Sequence, residues 1–247
     1  MATVIKAANA RIDSLLKTLV ADGMPREAVV IYRGRNVVAK LPAEGINIKS
    51  YKVPDSIKGF IYGHLRMPKA QRAYENGQKL KSLGISTPEP LGMALNLEGG
   101  QLRQSFYVSR QLEGWSEMRG AEKLDFFAEL SAALAGFILD MHRKGVFMKD
   151  LTPGNVLFRR HGDEFEFTLV DINRMEFDIT DRKTLLSNLG LIFDTEDGIA
   201  RLARDYARLS GDDADALEEQ CRRQYRARWR YLGRKKRLKK LLGIKPH

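Results

Sequence analysis

The chain has 247 residues, of which 43% are hydrophobic and 30% are charged, so it can bury a substantial core and does not have the composition of a disordered protein. It contains no run of about 18 uncharged apolar residues, and its N-terminus lacks the apolar block of a secretory signal. The single cysteine, Cys221, excludes an internal disulfide and a cysteine metal cluster. Together these features predict a cytoplasmic protein without a transmembrane helix.

The net charge of +11 is concentrated in the C-terminal tail. Residues 222–247 contain 12 Lys and Arg and no Asp or Glu, which leaves 30 basic against 31 acidic residues in the rest of the chain. Apolar side chains are interleaved with these charges, namely Tyr225, Trp229, Tyr231, Leu238, Leu241 and Leu242. This pattern favours an anionic membrane surface as partner. A solvated helix face is the alternative, and nucleic acid is not expected because no base-reading motif is present.

Strand signals dominate the first half of the chain. After an amphipathic helix predicted for residues 7–21, three strand-like runs follow, EAVVIYRG, RNVVAKL and INIKSYKV, with turns at Gly34 and PAEG. A helix is predicted from about Lys69 to Leu83, because the apolar periodicity ends at Gly84, which is typical of a helix C-terminus. Two further strands are predicted within ISTPEPLGMAL and LRQSFYVSRQL.

The second half is mainly helical. A long helix is predicted for residues 123–144, ending at Gly145, with His142 packed near its end. The loop KDLTPGN and the strand-to-loop segment EFEFTLVDINRMEF follow, and the remainder is helical and increasingly basic. The change in character predicts an α+β chain with an N-terminal lobe of residues 1–112 and a C-terminal lobe of residues 113–247.

Five polar residues fall in an order that suits phosphoryl transfer from ATP. Lys49 ends an alternating strand, Glu75 lies in the helix after it, Asp150 and Asn155 share one loop, and Asp171 follows an apolar strand. Such transfer needs a lysine on the phosphates, a glutamate that holds this lysine, an aspartate that accepts the hydroxyl proton, and an asparagine and aspartate that hold Mg²⁺. Each residue alone could be a surface, turn or helix-capping residue. The hypothesis of phosphoryl transfer depends on all five occurring in this order.

The chain resembles the protein-kinase-like superfamily, and within it the bacterial lipopolysaccharide core kinases, the Kdo and heptose kinase family. The stretches that carry the resemblance are NIKSYKVP, PKAQRAYENGQKLKSLGISTPEPLG, LDMHRKGVFMKDLTPGNVLF and LVDINRMEF. The resemblance implies a bilobal protein-kinase-like fold. It consists of an antiparallel-sheet N-lobe with one key helix and a shortened, mainly helical C-lobe.

The resemblance also implies a role for each residue. Lys49 would bind the phosphates of ATP with Glu75 as its partner, Asp150 would be the catalytic base, and Asn155 and Asp171 would be Mg²⁺ ligands. The strand end and hinge would present backbone groups to adenine, at Ser109, Arg110 and Leu112. The acceptor would be a sugar hydroxyl of the lipopolysaccharide inner core, with Kdo expected, at the inner face of the cytoplasmic membrane.

The sequence departs from the usual kinase pattern at several positions. Met148 and Lys149 replace the common residues before the catalytic aspartate, Ile172-Asn173 follows Asp171, and no Gly-x-Gly-x-x-Gly loop is present. Two alternatives therefore stay open: a protein or small-molecule kinase on the same fold, and a non-catalytic pseudokinase scaffold. Arg174 is expected either to support Asp171 or to bind an acceptor anion.

Overall fold

The computed structural model describes residues 2–53 and 67–241, with side chains described up to residue 238. The chain forms two compact units. The first unit comprises Met1–Glu113 with the short segment Asp171–Asn173, and the second comprises Gly114–Val170 and Arg174–His247. The predicted lobes meet at residue 112, which would assign Asp171–Asn173 to the C-terminal lobe. In the structure this short segment belongs to the first unit, although it lies far along the chain.

Within the described residues, the first unit contains a six-stranded antiparallel sheet with the strand order β1-β5-β6-β4-β3-β2. The strands are β1 Ala2–Ala7, β2 Val29–Arg33, β3 Asn36–Leu41, β4 Ile46–Tyr51, β5 Pro90–Glu98 and β6 Gln101–Arg110. Two described helices accompany the sheet, α1 Ala10–Ala21 and α2 Lys69–Ser82.

The N-terminal segment differs from its prediction. Residues 2–7 form strand β1, which pairs along β5, and helix α1 begins only at Ala10, where the Asn9 side chain accepts a hydrogen bond from the Ile12 amide. The helix packs tightly on the sheet. A Cβ on Gly92 would lie 2.9 Å from side-chain atoms of Ile12 and Leu16, so this close approach requires glycine.

The second unit is mainly helical, with helices α3 Phe127–Arg143, α4 Arg182–Leu186, α5 Glu196–Ser210 and α6 Ala214–Leu241. Its short strands are β7 Ser116–Glu117, β8 Phe147–Met148, β9 Val156–His161, β10 Glu164–Leu169 and β11 Met175–Glu176. Strands β10, β9 and β7 form one antiparallel sheet, and β8 pairs with β11. The core between the helices is apolar, and Cys221 and His142 are buried there, as expected of a packed histidine.

Candidate active site

The strand lysine and the strand-end aspartate meet in the first unit. Lys49, on β4, donates a hydrogen bond to Asp171 Oδ1 at 2.5 Å, across 122 positions of sequence. Asn173 Nδ2 donates to the same oxygen at 2.6 Å. Asp171 has a backbone φ of +55°, a left-handed conformation that is uncommon for residues other than glycine. Such a backbone persists only where its surroundings enforce it, and it is often found at functional sites.

Helix α2 supports the segment that carries Asp171. The Asn76 side-chain amide donates to the Ile172 carbonyl at 2.7 Å. A Cβ on the neighbouring Gly77 would lie 3.3 Å from Ile172 and 3.1 Å from Pro90, so the helix approaches closely at this point. The sequence analysis did not identify Asn76 or Asn173, because an isolated asparagine gives no signal of a distant partner.

Glu75 has a different partner from the predicted one. It accepts hydrogen bonds from Lys6 at 2.9 Å and from Gln71 at 3.0 Å. Burial alone would raise the pKa of Glu75, but the hydrogen bonds from Gln71 and Lys6 lower it overall. The predicted ion pair between Lys49 and Glu75 is therefore not formed in this structure. The physical reason is that α2 directs Asn76, the residue after Glu75, toward the Asp171–Asn173 segment. Lys49 already pairs with Asp171 of that segment.

Lys69 lies near both Lys49 and Asp171, among further cations. The Lys69 ammonium lies 5.8 Å from the centre of the Tyr51 ring, and that of Lys49 lies 5.3 Å from it. Burial lowers the pKa of Lys69, and repulsion from Arg35, Arg72 and Lys49 adds to this effect, while attraction to Asp171 opposes it. A lysine among three other cations favours an anion as ligand. The sequence analysis did not identify Arg35, Lys69 and Arg72, because they lie in segments of sequence that are separate from Lys49.

The expected hinge lies at the end of β6. Backbone hydrogen bonds occupy two of its amides, from Arg110 to the Glu89 carbonyl at 2.9 Å and from Gln111 to the Gly45 carbonyl at 2.8 Å. The Leu112 carbonyl accepts a bond from the Gln111 side chain at 2.7 Å, and Ser109 is buried. Adenine binding by Ser109, Arg110 and Leu112 stays a prediction, and it would not use the Arg110 amide without breaking a bond.

In the second unit, one loop holds both Asp150 and Asn155. The Asn155 side-chain amide donates to the Asp150 carbonyl at 2.8 Å, and the Thr152 amide donates to the same carbonyl at 2.7 Å. The Val170 amide donates to the Asn155 carbonyl at 2.9 Å. Because its nitrogen is used internally, the Asn155 side chain keeps its oxygen for another partner.

Arg174 lies against the expected catalytic base. Its Nη1 donates to both carboxylate oxygens of Asp150, at 2.8 and 2.9 Å. Arg174 and Asp150 are neighbours of the short β8–β11 strand pair, which brings them together. Next to this pair, the Lys149 amide donates to the Arg174 carbonyl at 3.2 Å. Of the two expectations for Arg174, support of Asp171 is wrong, since its carboxylate partner is Asp150. Met148, which replaces the usual residue two positions before Asp150, is buried. Because its side chain is apolar, it leaves no polar group unsatisfied.

The oxygen ligands available suit magnesium. Among the described residues, no three His, Cys, Asp or Glu side chains cluster as a preformed metal site. Mg²⁺ is usually held by one or two protein oxygens together with water and substrate phosphates, and does not need such a cluster. The carboxylate of Asp171 and the side-chain oxygen of Asn155 are oxygen groups of this type, and their role as Mg²⁺ ligands stays a prediction.

The C-terminal helix begins against the body of the second unit and ends exposed. Arg226 contacts Glu196 at 2.5 Å, and Arg228 donates to the Leu191 carbonyl at 2.7 Å. From Trp229 to Leu238 every side chain is exposed. Leu242 and residues 243–247 of the basic tail lie outside the described residues, as does the Leu241 side chain. Among the helices of the described residues, none has the length and hydropathy of a membrane span.

Comparison with known proteins decides the family. Residues 57–210, more than half of the chain, match the model of the lipopolysaccharide kinase (Kdo/WaaP) family. The chain belongs to this family. It is therefore a phosphotransferase with a lipopolysaccharide sugar acceptor, which confirms the resemblance and the enzyme class expected from the sequence.

One solved structure supports the fold. A structure of WaaP in complex with acyl carrier protein aligns with a TM-score of 0.60 at 17% identity, covering 91% of this chain and 100% of that chain. The Rio2 kinase–ADP/Mg²⁺–phosphoaspartate complex from Chaetomium thermophilum aligns with a TM-score of 0.46 at 15% identity, covering 90% of this chain and 82% of that chain. The search of curated proteins found no match. The WaaP alignment confirms the protein-kinase-like α+β fold.

Proposed function

We propose that this kinase transfers the γ-phosphate of Mg²⁺-ATP to a hydroxyl of Kdo in the lipopolysaccharide inner core. The observation that carries the proposal is the pairing of Lys49 with Asp171 at the end of an apolar strand. It joins the phosphate-binding lysine and the metal-binding aspartate of the kinase pattern in one unit. The family match supports the lipopolysaccharide acceptor, and the choice of Kdo within that class is our proposal.

Lys49 and the cations near it would hold the triphosphate. In kinases a glycine-rich loop covers the phosphates with backbone amides. Here the turn between β2 and β3 carries Arg35, and the Lys69 and Arg72 side chains lie on α2. Four positive side chains would neutralise phosphate charge in place of glycine-rich backbone. When bound, Mg²⁺ would supply further neutralisation of the phosphates, held by Asp171 and Asn155.

Asp150 would accept the proton of the acceptor hydroxyl. Its carboxylate is half-buried and faces Arg174. Because Arg174 is exposed, it is free to exchange this carboxylate for the phosphate or for an anion of the acceptor during transfer. We infer that Arg174 orients Asp150 in the resting enzyme and neutralises negative charge when the acceptor is bound.

The exposed end of α6 would bring the enzyme to its acceptor on the inner face of the cytoplasmic membrane. Trp229, Tyr231 and Leu238 are exposed among many Lys and Arg side chains. Basic residues near an anionic bilayer contribute roughly 1 kcal/mol each, and aromatic rings favour the headgroup region. The test is sedimentation with phosphatidylglycerol vesicles. Binding should fall sharply when Arg230, Arg234 and Arg237 are replaced by Gln. Equal binding of this variant would contradict the membrane role.

The main test is transfer of labelled γ-phosphate from Mg²⁺-ATP to purified Kdo–lipid A by the wild-type chain and by Asp150→Ala. We expect transfer by the wild type, and loss by a factor of about 100 to 10,000 in the variant, as for other general bases. Full activity of Asp150→Ala would show that Asp150 is not the catalytic base. ATP binding without transfer to Kdo–lipid A would reject Kdo, and absence of ATP binding would favour a pseudokinase scaffold.

A further inference from the structure

The lining of one cavity in the second unit includes three arginines. It forms on strands β7 and β9, which pair at Ser116–Phe158 and Glu117–Leu157. Its lining includes Arg119, Arg159, Arg160, Glu117, Phe126 and Phe158. The lining carries three arginines and one carboxylate, Glu117, so its net charge is positive and a negatively charged group is the ligand that it fits.

The guanidinium groups are held in place before any ligand arrives. The Arg159 guanidinium lies 4.8 Å from the centre of the Trp115 ring and donates to Glu166 at 2.6 Å. The Arg160 guanidinium lies 4.6 Å from the centre of the Phe126 ring. Stacking on aromatic rings and hydrogen bonding restrict both side chains, so binding would order them little further.

Arg159 also has a donor that nothing satisfies. Its Nε is buried and has no hydrogen-bond partner among the residues that the structure describes. A guanidinium offers five N–H donors, and its forked geometry matches a carboxylate or a phosphate. The Nε itself is closed off from solvent, but the Arg159 side chain as a whole is 38% exposed and lines the cavity. A ligand with an anionic oxygen would therefore meet the accessible part of this side chain.

The cavity adjoins the loop that carries the proposed catalytic base. Arg119 Nη2 lies 2.8 Å from the position that a Cβ on Gly154 would take, so the glycine makes room for the guanidinium. Gly154 directly precedes Asn155 and lies in the same loop as Asp150. An anion bound by Arg119 would therefore sit beside this loop.

We propose that this cavity is an acceptor subsite, which binds the carboxylate or phosphate group of the sugar that receives the phosphate. The inference rests on the proposed function, since it names what that enzyme recognises in its acceptor. The arginines bind the charged group, and the rings of Phe126 and Phe158 offer apolar surface to the sugar. Recognition of charge at this point selects acidic inner-core sugars over neutral ones, because only an anionic group forms ion pairs with the guanidinium groups of the cavity.

The first experiment measures steady-state transfer to Kdo–lipid A by Arg119→Gln and Arg159→Gln. We expect the KM for the acceptor to rise at least about tenfold, the usual effect of losing a charge-assisted hydrogen bond, and the KM for ATP to stay within about twofold. Arg103→Gln is the matched control, because Arg103 pairs with Glu98 on the β5–β6 hairpin of the other unit. Unchanged acceptor KM in both cavity variants would overturn the subsite.

The second experiment does not depend on catalysis. The chain has two tryptophans, so Trp229→Phe leaves Trp115, stacked on Arg159, as the fluorescent reporter of the cavity. This protein is titrated with Kdo, Kdo methyl ester, glucose 6-phosphate and glucose. We expect a saturable change in Trp115 fluorescence with the charged sugars alone, and we expect Arg119→Gln to abolish it. Tighter binding of Kdo would identify a carboxylate as the recognised group, and tighter binding of glucose 6-phosphate would identify a phosphate.

The two experiments separate failure of the subsite from failure of the proposed function. Equal responses to charged and neutral sugars, or no response, would overturn the subsite even if Kdo–lipid A is phosphorylated. If no transfer to Kdo–lipid A occurs, the proposed function fails. A charge-dependent Trp115 response that requires Arg119 would still support an anionic sugar as the ligand of the cavity.

Discussion

The two ion pairs of the candidate site differ in how far their cations are exposed to water. The Lys49 side chain is 15% exposed where it meets Asp171, whereas the Arg174 side chain is 53% exposed where it meets Asp150. An exposed pair contributes about 1 kcal/mol or less and can exchange partners, while a cation held within packed structure stays in place. We infer that the first pair is a fixed frame for phosphate and metal, and that the second is an exchangeable clamp on the base.

The largest effect is expected when the metal-binding member of the fixed pair is changed. Asp171→Asn should lower Mg²⁺-dependent transfer by at least about 100-fold, because the developing phosphate charge loses its metal ligand. Asp178→Asn is the matched control, since Asp178 is exposed and also has a positive φ, +59°. Rates at saturating Mg²⁺-ATP measure the effect. Similar losses in both variants would contradict a specific metal role for Asp171.

A smaller loss is expected from the cation of the same pair. Lys49→Met should lower kcat by about 100-fold or less, because the other nearby cations still neutralise the phosphates. Kinetics of Lys52→Met, an exposed lysine after the same strand, provide the comparison. If Lys49→Met keeps its wild-type rate, Lys49 does not contact the phosphates in the transition state.

The exchangeable pair should be more tolerant. Arg174→Gln should lower kcat by about tenfold, the scale of one hydrogen bond to a charged group, with little change in the KM for ATP. Arg174→Lys should recover part of the rate, since it restores the charge without the guanidinium. A rise in the KM for ATP with unchanged kcat would instead place Arg174 on the nucleotide.

Glu75 gives the smallest expected effect on activity. Glu75→Gln should change kcat by less than about twofold and the free energy of unfolding by less than about 1 kcal/mol, because its partner Lys6 is exposed. Denaturant unfolding and transfer rates measure both. A large loss of kcat would mean that Glu75 moves to Lys49 during catalysis, as the sequence pattern predicts.

A buried histidine limits the pH at which these variants can be compared. Burial lowers the pKa of His142 to about 4, although the nearby Asn188 opposes the shift. The ordinary value is about 6.5, so the unfolded chain takes up the proton first as the pH falls. The free energy of unfolding should therefore decrease between about pH 6.5 and 4, by roughly 3 kcal/mol in total.

His142→Gln removes the titrating group and should flatten this part of the pH profile. Denaturant unfolding at several pH values between 4 and 8 measures the slope for both proteins. Equal slopes would show that other groups cause the loss of stability at low pH. The activities of the variants should be compared above pH 6.5, where this loss of stability does not contribute.

The sequence alone was sufficient for most of the elements and for the fold class. Alternating apolar residues predicted β3 and β4, and helical periodicity ended by Gly84 predicted α2, because these signals depend on near neighbours in sequence. The ordered set of polar residues indicated the family, which the family match confirmed. Strand β1 was missed because its partner β5 lies about 90 positions further along the chain.

Only the tertiary structure decided which charges meet. The pairing of Lys49 with Asp171, of Glu75 with Lys6 and of Arg174 with Asp150 depends on how strands and helices pack, as does the gathering of arginines in the cavity near Gly154. Residue type and spacing predict the chemistry that a side chain can perform. Its partner is chosen by contacts between distant segments, which local sequence does not specify.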